Sequence, residues 1–314
     1  MALIYSDNNK LAFELIGKAK EIDEEAIAVI IGKKDENLEN EYASYGADKI
    51  IFVETSLDHA KAEEYADIFQ QIIKELEAEI VLIGSTKIGK ELSSRLAGIL
   101  NTGCVIDALK LYVKDTALIT ERVEYSGNAI AVEQFISKPA IITIPSKVFD
   151  ALEKDESHKA EIITKTIHPD KSTSEITNIA ETKSDGVNVE DAEIIVSCGR
   201  GFKNKDDLNL ASDLANVLKG KTVGCSRPIA ADLKWLPDDH WIGLSGHKVK
   251  PQLYVAAGIS GQIQHIAGMR DANVVVAINK DPDALIFHSA DYGIVGDLYT
   301  VLPKLTEAIK EKMK

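Results

Sequence analysis

Hydrophobic positions in this chain fall into short runs that alternate with segments of helical spacing. Apolar runs at residues 2–5, 27–31, 49–53 and 79–83 read as strands, while residues 10–22, 37–45 and 59–78 carry apolar side chains three and four apart. Runs without polar interruption mark strands buried on both faces, so the alternation predicts a parallel α/β domain. Across residues 117–144 strand-like stretches follow one another around Gly127-Asn128, which predicts antiparallel hairpins closing this domain. Residues 165–190 are rich in Thr, Ser, Lys, Asp and Glu and contain Asp185-Gly186. The boundary is therefore placed near residue 186, giving domains 1–186 and 187–314.

The second domain resumes the alternation. Strands at 193–197 and 222–225, with a helix at 206–218 between them, end in Gly199-Arg200-Gly201 and Ser226-Arg227-Pro228. An extended stretch at 241–244 ends in Ser245-Gly246. Apolar runs at 253–259 and 273–278 flank a short helical segment reaching Met269, a βαβ unit, and a last helix at 298–312 follows Gly296-Asp297. Open α/β sheets bind ligands beyond the carboxyl ends of their strands. Arg200, Ser226, Arg227, Ser245, Ser260 and Asn279 all stand at such ends and together predict a cleft with two fixed positive charges, hydroxyls and an amide, suited to a nucleotide-type ligand. Ser260 is expected to cap the short helix and aim its first N–H groups at a phosphate. Asp297 is either the N-cap of the last helix or a contact to a ribose or ribityl hydroxyl. His265, expected in the second turn of the short helix, either packs or stabilises negative charge on a nearby redox ring.

Composition narrows the partners. Asp and Glu number 50 against 36 Lys and Arg among 314 residues, a net charge of −14, which repels nucleic acid and anionic membranes and suits partners with basic patches. Cys104, Cys198 and Cys225 show no C-x-x-C or metal-type spacing and leave at least one free thiol, pointing to a reducing, cytoplasmic compartment. The first residues read as a strand rather than a leader, and no apolar run approaches membrane-spanning length. Gly84-Ser85-Thr86-Lys87-Ile88-Gly89-Lys90-Glu91 fits a phosphate loop, but Glu91 stands where a hydroxyl must meet magnesium, so an ordinary strand-to-helix turn is expected. Gly258-x-x-Gly261 is not the dinucleotide fingerprint, and Asn279 replaces the acidic strand cap, which argues against nicotinamide.

Longer motifs carry a resemblance. G-R-G at 199–201, S-R at 226–227, P-Q-L-Y-V-A-A-G-I-S-G-Q-I-Q-H-I-A-G-M at 251–269, V-A-I-N-K-D-P at 276–282 and A-D-Y-G-I-V-G-D-L at 290–298 resemble the electron-transfer flavoprotein α subunit family. The resemblance implies an N-terminal nucleotide-hydrolase-like α/β domain that binds no nucleotide, a C-terminal doubly wound parallel-sheet domain that binds FAD, and a β subunit as heterodimer partner. It implies FAD contacts from Arg200, Ser226, Arg227, Ile242, Gly243, Leu244, Ser245, Ser260, Gly261, Gln262, Ile263, Gln264, His265, Asn279, Asp297 and Leu298. Arg227 would lie near flavin N5, with the Ser245 hydroxyl also on N5 and His265 by the C2 carbonyl. The family's Gln-Thr-Gly-Lys is Leu244-Ser245-Gly246-His247 here. The implied role is an electron carrier rather than a self-sufficient enzyme, between flavin dehydrogenases such as acyl-CoA dehydrogenases and a quinone reductase or other acceptor. Two alternatives stand beside it: a bifurcating complex that oxidises NADH, and a non-redox adenine-nucleotide sensor.

Overall fold

The chain divides into two compact units, Met1–Thr177 and Asn178–Lys314. A computed structural model describes every residue except 23, 55–60, 126–127, 170–173, 180–186, 221 and 314. Asp185-Gly186, the boundary expected near residue 186, Gly127 and the start of the helix expected at 59–78 lie outside the described residues.

In unit 1, β1 (Ala2–Tyr5), β2 (Ala26–Gly32), β3 (Lys49–Glu54) and β4 (Ile80–Gly84) alternate with α1 (Asn9–Glu21), α2 (Glu36–Ser44), α3 (Ala62–Leu76) and α4 (Lys87–Leu100). β5 (Cys104–Val105), β6 (Lys110–Lys114), β7 (Ala117–Glu124), β8 (Ala129–Gln134), β9 (Ala140–Ile144) and β10 (Glu161–Thr166) follow. Seven of these strands form one parallel sheet in the order β10-β3-β2-β1-β4-β9-β5. The uninterrupted apolar character of β1 now has its cause. Ala2 and Ile4 join α1 and α2 in one core, while Leu3 and Tyr5 join α3 and α4 in the core on the opposite face.

Two expectations are corrected here. Among the described residues antiparallel pairing is confined to β6, β7 and β8, whereas β9 enters the large sheet parallel to β4 and β5, with all five of its residues buried. Residues 165–166, placed in the polar stretch, belong instead to β10, which pairs parallel with β3.

Unit 2 comprises β11 (Ile194–Cys198), α5 (Asn209–Val217), β12 (Thr222–Cys225), β13 (Leu253–Ala257), α6 (Ile263–Met269), β14 (Val274–Asn279), β15 (Tyr292–Val295) and α7 (Leu298–Lys312). Its strands are parallel in the order β12-β11-β13-β14-β15, a doubly wound arrangement whose switch point falls between β11 and β13. α5 and α7 share a core with Val196 and Cys198, while Met269 of α6 and Ile242 pack with Tyr254 on the other face. Of residues 241–244 only Trp241 and Ile242 are extended, making isolated parallel bridges to Cys225 and His247 rather than a full strand, and a Cβ on Gly246 would lie 2.5 Å from the Trp241 carbonyl oxygen. Among the described residues no helix is long and apolar enough to cross a membrane.

Candidate functional site

Within unit 2, the carboxyl ends of β11 to β14 and the start of α7 enclose a cleft of about 910 Å³. This is the size of a site that holds a large organic ligand. Its floor is two strand-end turns in backbone contact. A Cβ on Gly199 would lie 2.3 Å from the Gly258 carbonyl oxygen, and one on Gly258, whose φ is +64°, would lie 2.8 Å from Gly201 Cα. Glycine is required where the backbones meet this closely and where φ is positive.

Arg200, Ser226, Arg227, Ile242, Gly243, Leu244, Ser245, Ser260, Gln262, Gln264, His265, Asn279, Asp297 and Leu298 line this cleft, whereas Gly261 and Ile263 do not. Gly261 backs onto the 285–286 backbone, where a Cβ would meet the Ile286 nitrogen at 2.1 Å, and Ile263 is exposed. Ser260 does not cap α6, contrary to expectation. Gly261, at φ +83°, turns the chain so that the N-cap falls on Gln262, which uses no side-chain hydrogen bond. His265 consequently lies in the first turn of α6 rather than the second.

Several wall residues hold one another. Asn279 donates from Nδ2 to the Ile259 carbonyl at 2.8 Å and accepts the Asp281 N–H at 3.0 Å, tying the end of β14 to the turn after β13. Asp297 Oδ1 accepts the Tyr299 N–H at 2.9 Å, so the carboxylate is the N-cap of α7 while it also faces the cleft. The Arg227 guanidinium sits 5.9 Å from the centroid of the Trp241 ring, which steadies an otherwise exposed cation. Sequence reasoning missed Trp241, Lys203, Lys280 and Tyr299, all of which line the cleft. The Lys203 N–H donates to the Tyr299 hydroxyl at 2.7 Å, and that hydroxyl donates to Asp207 at 2.5 Å. Only the register of α7 brings these together, and no local pattern announces it.

His265 is the chemical centre of the wall. It is buried, its Nε2 lies 2.9 Å from the Tyr254 hydroxyl, and its Nδ1 has no hydrogen-bond partner among the described residues. Desolvation pushes its pKa down from 6.5 to about 4, against a smaller opposing pull from the Ile242 carbonyl. The imidazole is therefore neutral at pH 7. Four cations, Arg200, Lys203, Arg227 and Lys280, face three carboxylates, Asp281, Asp283 and Asp297, so the cleft is locally positive in an acidic chain. His247 turns away and pairs through Nδ1 with Glu190 at 2.8 Å. Cys198 and Cys225 are buried neighbours beneath the site; burial drives the first thiol well up and the second to about 12, so neither is a reactive thiolate.

Comparison with known proteins decides the family. The electron transfer flavoprotein domain matches residues 6–170, and the electron transfer flavoprotein FAD-binding domain matches residues 188–270. The electron transfer flavoprotein subunit alpha of Thermoanaerobacterium thermosaccharolyticum is 39% identical over 316 residues, spanning 97% of this chain and 95% of the relative. That of Bacillus subtilis is 40% identical over 306 residues, 96% of this chain and 93% of the relative. This chain belongs to the electron transfer flavoprotein α-subunit family. The family carries out electron transfer with FAD as cofactor and implies a β-subunit partner. A further relative, the lactate dehydrogenase (NAD(+),ferredoxin) subunit LctC of Acetobacterium woodii, is 35% identical over 308 residues, 96% of this chain and 73% of its own length.

The residues present fit FAD. Arginines suit a pyrophosphate, Ser226, Ser245 and Ser260 offer hydroxyls, Trp241, Leu244 and Leu298 give apolar surface for a flat ring, and His265 Nδ1 is an orphaned buried nitrogen on the wall. Bound FAD supplies one- and two-electron chemistry that no side chain here provides. The chain's part is to hold the cofactor, shield it from water and set hydrogen bonds and charge around its ring.

Proposed function

We propose that this chain carries FAD in the unit 2 cleft and relays electrons from flavin dehydrogenases, such as acyl-CoA dehydrogenases, to a quinone reductase or another acceptor. The observation that carries this reading is the convergence of the cleft-lining residues named above on one edge of a doubly wound sheet, at its switch point. Arg227 takes the N5 side of the ring together with the Ser245 hydroxyl, His265 takes the C2 carbonyl, and Arg200, Ser226, Asn279 and Asp297 serve the ribityl and phosphate portions. The three free cysteines, among the described residues, accord with a reducing cytoplasmic compartment.

A second reading draws on LctC, whose name joins NAD(+) and ferredoxin to lactate oxidation. On that reading the chain is the α subunit of a bifurcating complex, and a second FAD sits on the β subunit. Anaerobic titration of the heterodimer separates the two. The carrier reading expects one FAD per heterodimer, reduced by a substrate-reduced acyl-CoA dehydrogenase and inert to NADH. Two FAD with direct reduction by NADH would replace it with the bifurcating reading.

A further inference from the structure

The Tyr254 phenol lies beneath the cleft wall on β13 and is fully buried. The structure assigns Tyr254 a positioning role: its hydroxyl donates to His265 Nε2 and so fixes the imidazole as the neutral Nδ1–H tautomer, presenting an N–H donor to the cleft. This rests on the reading that the cleft holds the flavin ring, and it adds to that reading the residue that sets which hydrogen the ring meets.

One buried contact decides the tautomer. The hydroxyl and Nε2 are 2.9 Å apart, so one of them donates. Burial holds the phenol protonated, and the other polar side chains that act on it are Ser197, Cys198 and Cys225. A thiol is a weak acceptor and a hydroxyl is a weaker base than imidazole, so the phenol hydrogen belongs to Nε2. With Nε2 accepting from Tyr254, the hydrogen of the neutral imidazole sits on Nδ1. His265 lines the cleft, and its Nδ1 has no hydrogen-bond partner among the described residues. A neutral N–H at that wall offers a hydrogen bond that strengthens as a flavin carbonyl gains electron density.

The test uses the full heterodimer with ¹⁵N-labelled histidine, read by long-range ¹H–¹⁵N correlation with and without FAD. The expected result for the parent is a neutral His265 in the Nδ1–H form at pH 7 before FAD is added. Tyr254→Phe, which keeps the ring and removes the hydrogen bond, should shift the tautomer ratio about fivefold toward Nε2–H, the worth of one such bond. With FAD bound, the same variant should show a lower first one-electron potential at unchanged FAD stoichiometry. An Nε2–H or doubly protonated His265 in the parent would overturn the assignment, as would a ratio that Tyr254→Phe leaves unmoved. A switched tautomer with an unchanged potential would overturn the claim that this hydrogen acts on the cofactor. Failure of the heterodimer to bind FAD would instead count against the functional reading, because the tautomer is read before the flavin is added.

Discussion

His265 is neutral because it is dry, and two predictions follow from that one residue. On the proposed reading its Nδ1 donor would meet the cofactor in a desolvated site, where a lost hydrogen bond costs about 2 kcal/mol, or about 90 mV in a one-electron couple. His265→Ala should lower the first reduction potential by that order while FAD stays bound, and a spectroelectrochemical titration checks it. The second prediction concerns pH. The folded imidazole has a pKa of about 4 against 6.5 when solvated, so between those values the unfolded chain takes up a proton that the folded chain refuses. The stability is present above pH 6.5 and is lost as pH falls toward 4, by on the order of 3 kcal/mol at about 1.4 kcal/mol per pH unit. Chemical unfolding at pH 7 and pH 5 measures it, and His265→Asn should shrink the loss by about 2 kcal/mol. Arg200, Ser226 and Arg227 were legible in sequence because they directly follow apolar runs, which places them at strand ends whatever the packing. Trp241 was not, because its role beneath Arg227 exists only once the loop between His240 and His247 has closed.

Elements differ in how openly they declare themselves. α7 begins and ends where its pattern predicts because Asp297 caps it locally. Asp297→Ala should destabilise unit 2 by about 1 kcal/mol, and Asp297→Asn, which can make the same capping bond, should restore that loss in thermal unfolding of the flavin-free heterodimer. The strand-to-helix turn at 84–91 shows why its resemblance to a phosphate loop is superficial. α4 starts at Lys87, so the Gly89 N–H is already bonded to the Thr86 hydroxyl at 3.0 Å, and Lys90 is paired with Asp107 at 2.8 Å. Glu91→Ser should therefore gain no ATP binding by calorimetry; tight binding would contradict that reading of the turn. β10 and β15 escaped the sequence for one physical reason. Both are edge strands, with exposed positions throughout, and each is held by parallel pairing to a single neighbour, β3 for β10 and β14 for β15, so neither needs an apolar run. β9 was misassigned because it follows antiparallel strands in sequence but pairs with β4 and β5 in space.

At the scale of the whole molecule, the chain separates its tasks. Unit 1 buries two cores around a seven-stranded sheet, and its strand ends carry bonds already made among Ser85, Lys90, Thr143 and Asp107 and between Thr86 and Gly89. Unit 2 is smaller, yet it holds the cleft and concentrates four cations there within a chain of net charge −14. That local reversal of sign favours an anionic dinucleotide over the rest of the surface. The central claim is that FAD occupies this cleft with its ring against His265 and Arg227. The structure of the FAD-loaded heterodimer tests it most directly. The account predicts one FAD along the carboxyl edge of β11 to β14, with His265 Nδ1 donating to a ring carbonyl and Arg227 on the opposite side of the ring. A flavin held by unit 1, or a ring that touches neither residue, would contradict it.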